Sequence, residues 1–270
     1  MRARGINYDT GTFPGNGLTR KTFDSQAVRR EMAVIADDLH CDAVRISGHK
    51  PERLSLAARH AADAGLEVWF SPFPVDLDPP QALALFADCA ERAEAARKAG
   101  ADVVFVAGCE VSAFCGAFLP GDTSMDRLRA MVTADLDWWM SLGPVLDRVN
   151  AFLGEAAAIV RDRFGGHGKP VAITEYGTCA YQGAGDLGGM AWQPPPGAVP
   201  DEDEQVRYLN ESLDIFDGVG ADTALWLSFA NYEKPGDRDI ASYGVVRMID
   251  ETNWEPKKVF HAMAARYQRP

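Results

Sequence analysis

Two glutamates close two apolar runs in this chain. Glu175 ends Val171-Ala172-Ile173-Thr174 and is followed by Tyr176-Gly177, while Glu110 ends the run that begins at Asp102-Val103-Val104-Phe105-Val106. Runs of this kind read as strands buried on both faces, the kind found in parallel sheets, and Gly177 marks where the second one stops. Two carboxylates at the carboxyl ends of two such strands can flank one bond, one giving a proton while the other attacks. Taken singly, a glutamate after a strand is as readily a solvated loop residue or an ion-pair partner. The pair carries the chemistry only if the surrounding elements repeat in register.

They do repeat. Arg4 to Asp9 predicts a first strand, followed after the glycine-rich loop Gly11 to Gly17 by a helix capped near Asp24 or Ser25, with Val28, Met32, Ile35 and Leu39 on one stripe. Ala43 to Gly48 predicts the second strand. Pro51 suits the first turn of a helix that stops before Gly65, Leu66 to Ser71 the third strand, and Pro79-Pro80 the start of a helix closed by Gly100. Three strand-helix units in succession predict a parallel α/β sheet. At 270 residues the chain fits one (β/α) barrel domain spanning 1–270.

The middle departs from that pattern. From Glu110 to Glu175 are 65 residues (175 minus 110), where three further units would need about ninety at roughly thirty residues each. The segment shows two helical stripes, around Leu128 to Leu142 and from Val145 to Phe164, and no apolar run that reads as a strand. The expectation is therefore a barrel-like α/β fold with a shortened fifth and sixth unit and about six clear strands. Trp138-Trp139 reads as core or interface packing.

After Glu175 a long loop, Thr178 to Pro200, carries Tyr181 and Trp192 and is expected to act as a lid on the carboxylate end of the sheet. Asp201 to Glu204 reads as an acidic helix N-terminus, Thr223 to Ala230 as the last strand, and the segment from Pro256 as a closing helix with Val259, Phe260, Met263 and Tyr267 inward. Asn7, Tyr8, Asp9, His49 and Tyr232 end or follow strands at the same end and are candidate substrate contacts.

Composition bounds the partners. A net charge of −12 and a pI near 4.9 argue against nucleic acid or an anionic membrane surface. Five cysteines without Cys-x-x-Cys spacing indicate neither a disulfide framework nor a zinc cluster, and a reducing cytoplasm is the expected location, with no apolar run of membrane-spanning length. Neither a dinucleotide fingerprint nor a Walker lysine loop is present, so no cofactor and no metal is expected. A small-molecule substrate, with carbohydrate as the candidate class, is the expected partner.

The arrangement resembles the retaining glycoside hydrolases built on the TIM barrel, the group called clan A. That resemblance implies a TIM-barrel-like fold in which Glu110 is the acid/base, Glu175 the nucleophile, Trp226 the sugar-binding floor and Arg45 the cation steadying the nucleophile. The stretch Tyr243-Gly244-Val245-Val246 through Pro256 to Ala262 is similar to the close of such barrels. More narrowly, Arg4 to Thr12 and Thr174 to Cys179 resemble actinobacterial proteins labelled abortive infection proteins. One departure stands out: the acid/base glutamate of the clan usually follows an asparagine that binds the sugar 2-hydroxyl, and here Cys109 precedes Glu110. That departure and the shortened middle keep two other readings open. One is a cytosolic cyclase or isomerase using the same carboxylates for acid/base chemistry. The other is a non-catalytic barrel holding a ligand on Trp192 and Trp226.

Overall fold

A computed structural model describes residues 1–12, 19–135, 138, 141–165, 172–218, 221–234 and 236–268. Val171, Trp139 and most of the Gly11 to Gly17 loop lie outside these. Strands β1 (Ala3–Asp9), β2 (Ala43–Gly48), β3 (Glu67–Pro72), β4 (Val103–Phe105), β5 (Ala172–Tyr176) and β6 (Thr223–Trp226) form one parallel sheet in the order β4-β3-β2-β1-β6-β5. The sheet curls into a half-barrel whose edges are β4 and β5. Registers such as Asn7 beside Arg45, Asp9 beside Ser47 and Ile6 beside Trp226 bring the carboxyl ends of the central strands level.

The first three units form as their sequence dictates. Helix α1 (Ser25–Ala33) is capped by Asp24, whose Oδ1 accepts from Ala27 N at 2.8 Å, and it runs on through a wider-wound turn, Val34–Asp38. Val28, Met32, Ile35 and Leu39 are all fully buried. Helix α2 (Pro51–Asp63) starts on its proline. Helix α3 (Pro79–Lys98) starts on two prolines and a reciprocal cap between Asp78 and Gln81.

Alternation along the strands separates two apolar layers. Ile6, Tyr8, Val44, Ile46, Val68, Phe70, Ala224 and Trp226 pack with the helices. Ala3, Ala43, Trp69 and Leu225, with Val104 and Val106, form a separate cluster on the concave face. Gly5 belongs to that face, where a Cβ would stand 2.2 Å from the Ala43 carbonyl oxygen, so the central strands close up only with glycine there. Below the layer, Arg2 grips Glu67 through two hydrogen bonds while Glu67 also accepts from Trp69 Nε1 at 2.7 Å.

No strand lies between β4 and β5 among the described residues. Helices described in that stretch are α4 (Val111–Phe114), α5 (Ser124–Thr133) and α6 (Gly143–Arg163). Helix α6 packs on the outside of α3 through Phe86, Val149, Phe152 and Ala156, with the Phe86 and Phe152 rings 6.1 Å apart. The buried Arg127 ties this region down, bonding the carbonyls of Ala113, Phe114 and Gly121 and the carboxylate of Asp76. Helix α7 (Glu202–Gly218) and helix α8 (Lys258–Tyr267) complete the outer layer.

Three boundaries differ from expectation. β4 ends at Phe105, five residues before Glu110, because Gly108 (φ 103°) turns the chain out of the sheet. β6 ends at Trp226. The segment between Tyr243 and Pro256, for which no strand is read above, holds an antiparallel hairpin, β7 (Val246–Met248) and β8 (Trp254–Pro256), whose turn is built on Asp250. The Asp250 carboxylate accepts from Asn253 Nδ2 and from the backbone N–H groups of Thr252 and Asn253, which hold its pKa down at about 2. No described helix is long and apolar enough to cross a membrane.

Candidate active site

The carboxyl end of the half-barrel is a polar layer centred on Arg45. Its position on β2 directs it to the concave face between Asn7 on β1 and Trp69 on β3, and its side chain is 2 % exposed. A guanidinium so buried must be paired to stay charged. Arg45 donates from Nε to Ser71 Oγ at 3.1 Å, and from Nη1 to Asn7 Oδ1 at 3.3 Å, to the Thr174 carbonyl at 3.4 Å and to Glu175 Oε1 in a close ion pair. Burial opposes its charge, and Cys109 and Glu175 more than offset that.

Asn7, buried itself, completes the support. Its Nδ2 donates to the carbonyls of Thr174 at 3.0 Å and Trp226 at 3.1 Å, tying β1 to β5 and β6 directly beneath the carboxylate. Gly177 then lets the chain leave β5 with φ 153°, its Cα side facing the Leu227 carbonyl so closely that a Cβ would lie 2.8 Å from that oxygen. The Glu175 side chain is 34 % exposed, anchored on one side and open to the mouth on the other.

Cys109 and Glu110 arrive from the opposite edge of the sheet. After the turn at Gly108, Cys109 places its Sγ 3.3 Å from Glu175 Oε1, close enough for the thiol to donate. Burial pushes the thiol up to about 12, against the pull of the Arg45 charge and with the charge of Glu175 adding to the rise. Glu110 adopts a left-handed conformation (φ 41°, ψ 43°) as the residue that opens α4. Its pKa is raised, chiefly by loss of water and secondarily by the negative charge of Glu175, with Arg45 pulling the other way. Glu110, Glu175 and Arg45 thus share one electrostatic environment across the gap between β4 and β5.

Of the other candidates, Asp9 and His49 lie at the same end. Asp9 Oδ1 accepts from Gly11 N and Thr12 Oγ1 and so shapes the loop after β1. His49 is half-buried, with its Nδ1 enclosed and without a hydrogen-bond partner among the described residues. Burial lowers its pKa against a hydrogen bond with the Phe73 backbone, which favours a neutral ring.

Five aromatic candidates are placed elsewhere. Tyr8 faces the helices, one residue out of phase with Asn7, and its hydroxyl donates to Glu31 on α1. Tyr232 donates to the same Glu31 oxygen at 3.2 Å. Trp226, fully buried, gives its indole N–H to the Tyr243 carbonyl at 3.0 Å and packs edge-on against Tyr176 and Tyr208, so it is a core residue rather than a floor for ligand. Tyr181 is enclosed in its own loop, donating to the Ala191 carbonyl at 2.8 Å. Trp192 is half-buried, and its carbonyl faces Lys234 Nζ at 3.5 Å. The loop that carries both is stitched down by Gln205, whose Nε2 donates to the Thr178 carbonyl at 2.9 Å.

No protein-family profile and no curated protein matches this chain. Solved structures do. A GH113 β-1,4-mannanase aligns over 98 % of this chain and 99 % of its own at 13 % identity and a TM-score of 0.56. A Bacteroides uniformis β-glucuronidase 2 aligns over the whole chain at 14 % identity and a TM-score of 0.63. The fold is that of the TIM-barrel glycoside hydrolases. A Ruminococcus gnavus β-glucuronidase bound to N1-substituted uronic isofagomine matches at 17 % identity and a TM-score of 0.52. This chain spans 35 % of the Bacteroides chain and 49 % of the Ruminococcus chain, against nearly all of the mannanase. The narrower likeness to proteins labelled abortive infection proteins rests on the sequence stretches alone.

Proposed function

We propose that this chain is a retaining glycoside hydrolase, with residues 1–270 acting as one catalytic barrel. Glu175 is the nucleophile and Glu110 the acid/base. The observation that carries the reading is the opposed treatment of the two carboxyls: Glu175 is ion-paired to the buried Arg45, while Glu110 has no such partner among the described residues and is pushed toward its protonated form. One side chain is thereby kept ready to attack and the other to donate a proton, which is the division that two like residues need.

In the first step an oxygen lone pair of Glu175 forms the bond to the anomeric carbon. The bond to the leaving oxygen breaks, and that oxygen takes the Glu110 proton. In the second, Glu110 as carboxylate takes a proton from water, the water oxygen bonds the anomeric carbon, and the ester electron pair returns to Glu175. Such a pair works across roughly 5–5.5 Å. The substrate class is a glycoside, and the mannanase and glucuronidase neighbours make mannosides and glucuronides the first to assay.

Glu110→Gln tests the acid/base role through leaving-group dependence. Protonation matters little for a 2,4-dinitrophenolate and greatly for an alkoxide, so hydrolysis of an alkyl glycoside is expected to fall by about 10²–10⁴ while the first step on the dinitrophenyl glycoside survives. Azide should restore turnover of the latter. Because the Glu110 pKa is raised, native activity is expected to hold above the ordinary carboxylate range and fall as pH rises through the shifted value. The Gln variant should lack that limb. Equal losses on both leaving groups, with the limb retained, would contradict the assignment.

A further inference from the structure

The two oxygens of Glu175 are not equivalent. Oε1 receives both the Arg45 guanidinium and the Cys109 thiol, whereas Oε2 has no hydrogen bond among the described residues. A carboxylate held at one oxygen by two donors can rotate little about its last bond, and the second oxygen is left at a fixed position without a donor among the described residues.

We infer that Cys109 is a positioning residue: its thiol, donating to Glu175 Oε1, fixes Oε2 as the attacking atom and stabilises the carboxylate that leaves when the glycosyl-enzyme is hydrolysed. This rests on the hydrolase reading for the identity of the reaction, while the contact itself stands on geometry.

A neutral thiol suits the task. Burial beside Glu175 holds the Cys109 proton on sulfur up to about 12, so at working pH it is a donor and not a competing nucleophile. Arg45 alone reaches Oε1 along one direction; the thiol comes from the β4 edge, across the gap that the shortened middle leaves, and joins the two edges of the sheet through the reacting group. During the second step the bond from the anomeric carbon to Oε2 breaks, its electron pair returns to the carboxylate, and negative charge grows on Oε1 where both donors already sit.

The coupling can be read without any substrate. Cys41, Cys89, Cys115 and Cys179 are buried and Cys109 is partly exposed, so iodoacetamide followed by peptide mass mapping reports Cys109 separately. In Glu175→Gln the thiol loses a carboxylate acceptor whose charge adds to burial in holding the proton on sulfur, while Arg45 remains to favour the thiolate, so alkylation of Cys109 at pH 8 is expected to accelerate about tenfold. An unchanged rate in Glu175→Gln overturns the contact.

The catalytic arm uses the same chain trapped as a 2-deoxy-2-fluoroglycosyl enzyme and freed of excess reagent. Cys109→Ala should slow its reactivation by about tenfold, the loss of one donor to a charged acceptor, with KM for the dinitrophenyl glycoside little changed. Cys109→Ser, which keeps a donor, should return reactivation to within about threefold of native. Reactivation unchanged in Cys109→Ala, or slowed equally in both variants, overturns the positioning role. If no fluoroglycoside labels the native chain, the hydrolase reading falls and takes the attacking-oxygen assignment with it. The alkylation rate then still decides whether thiol and carboxylate are coupled.

Discussion

Glu175→Gln is expected to lower kcat on a 2,4-dinitrophenyl glycoside by about 10⁵-fold, the scale on which an enzyme loses turnover when its nucleophile is removed. The substitution is isosteric and leaves an amide oxygen for Arg45, so the barrel should keep its melting temperature within a few degrees. The loss is chemical rather than structural. Circular dichroism and thermal melts of the variant check that separation, and a residual rate within tenfold of native would remove Glu175 from the reaction. Arg45 gives the physical reason for so large an effect. An ion pair formed with a cation 2 % exposed is desolvated on one side and poorly screened.

The largest effect on stability is expected on the other side of the sheet. Arg20 and Glu31, each with a side chain 2 % exposed, form a 2.9 Å ion pair. Tyr8 and Tyr232 both hydrogen-bond Glu31, and the Arg20 guanidinium lies 4.1 Å from the Tyr232 ring centre. Burial, then the charge of Glu31, raises both phenols well above their ordinary range, so they stay protonated donors. Removing one partner leaves an uncompensated buried charge, and Glu31→Gln is expected to destabilise the fold by about 3–5 kcal/mol. Replacing both charges, as in Arg20→Met with Glu31→Met, should recover most of that. Urea unfolding of the two singles and the double measures the coupling. A loss under about 1 kcal/mol for Glu31→Gln would mean that water reaches the pair.

Much of the fold could be read from local chemistry. The strand Ala43–Gly48, the Val28, Met32, Ile35 and Leu39 stripe and the proline starts at Pro51 and Pro79 depend on nearest-neighbour rules, and they form where those rules put them. The 65-residue span between the glutamates foretold the shortened middle because chain length limits how many strand-helix units can fit. The hairpin at Val246–Pro256 escaped notice because its strands are three residues each, too short for alternation to register.

The pairing of Arg45 with Glu175 was legible, and less so what surrounds it. Alternation on β1 already sets Tyr8 opposite Asn7, so its removal from the mouth was available from the strand period. Trp226 is likewise out of phase with the inward Leu225. The partnership of Arg20 with Glu31 was not available, because an irregular segment and a helix meet there through tertiary packing that no spacing encodes. Nor was the contact between Cys109 and Glu175, which spans the two edges of the sheet, β4 and β5. Ser71, the Nε partner of Arg45, carried a weak signal: it shares the inward face of β3 with Trp69.

The central claim is that Glu175 and Glu110 act on opposite sides of one glycosidic bond. Incubation of the native chain with a panel of 2-deoxy-2-fluoroglycosyl fluorides, followed by intact-mass measurement and peptide mapping, tests it most directly. The expected result is a single fluoroglycosyl adduct on the peptide containing Glu175. It should form more slowly in Glu110→Gln only where the leaving group needs a proton, and not at all in Glu175→Gln. An adduct on another carboxylate, or hydrolysis with inversion and no adduct, would contradict the account.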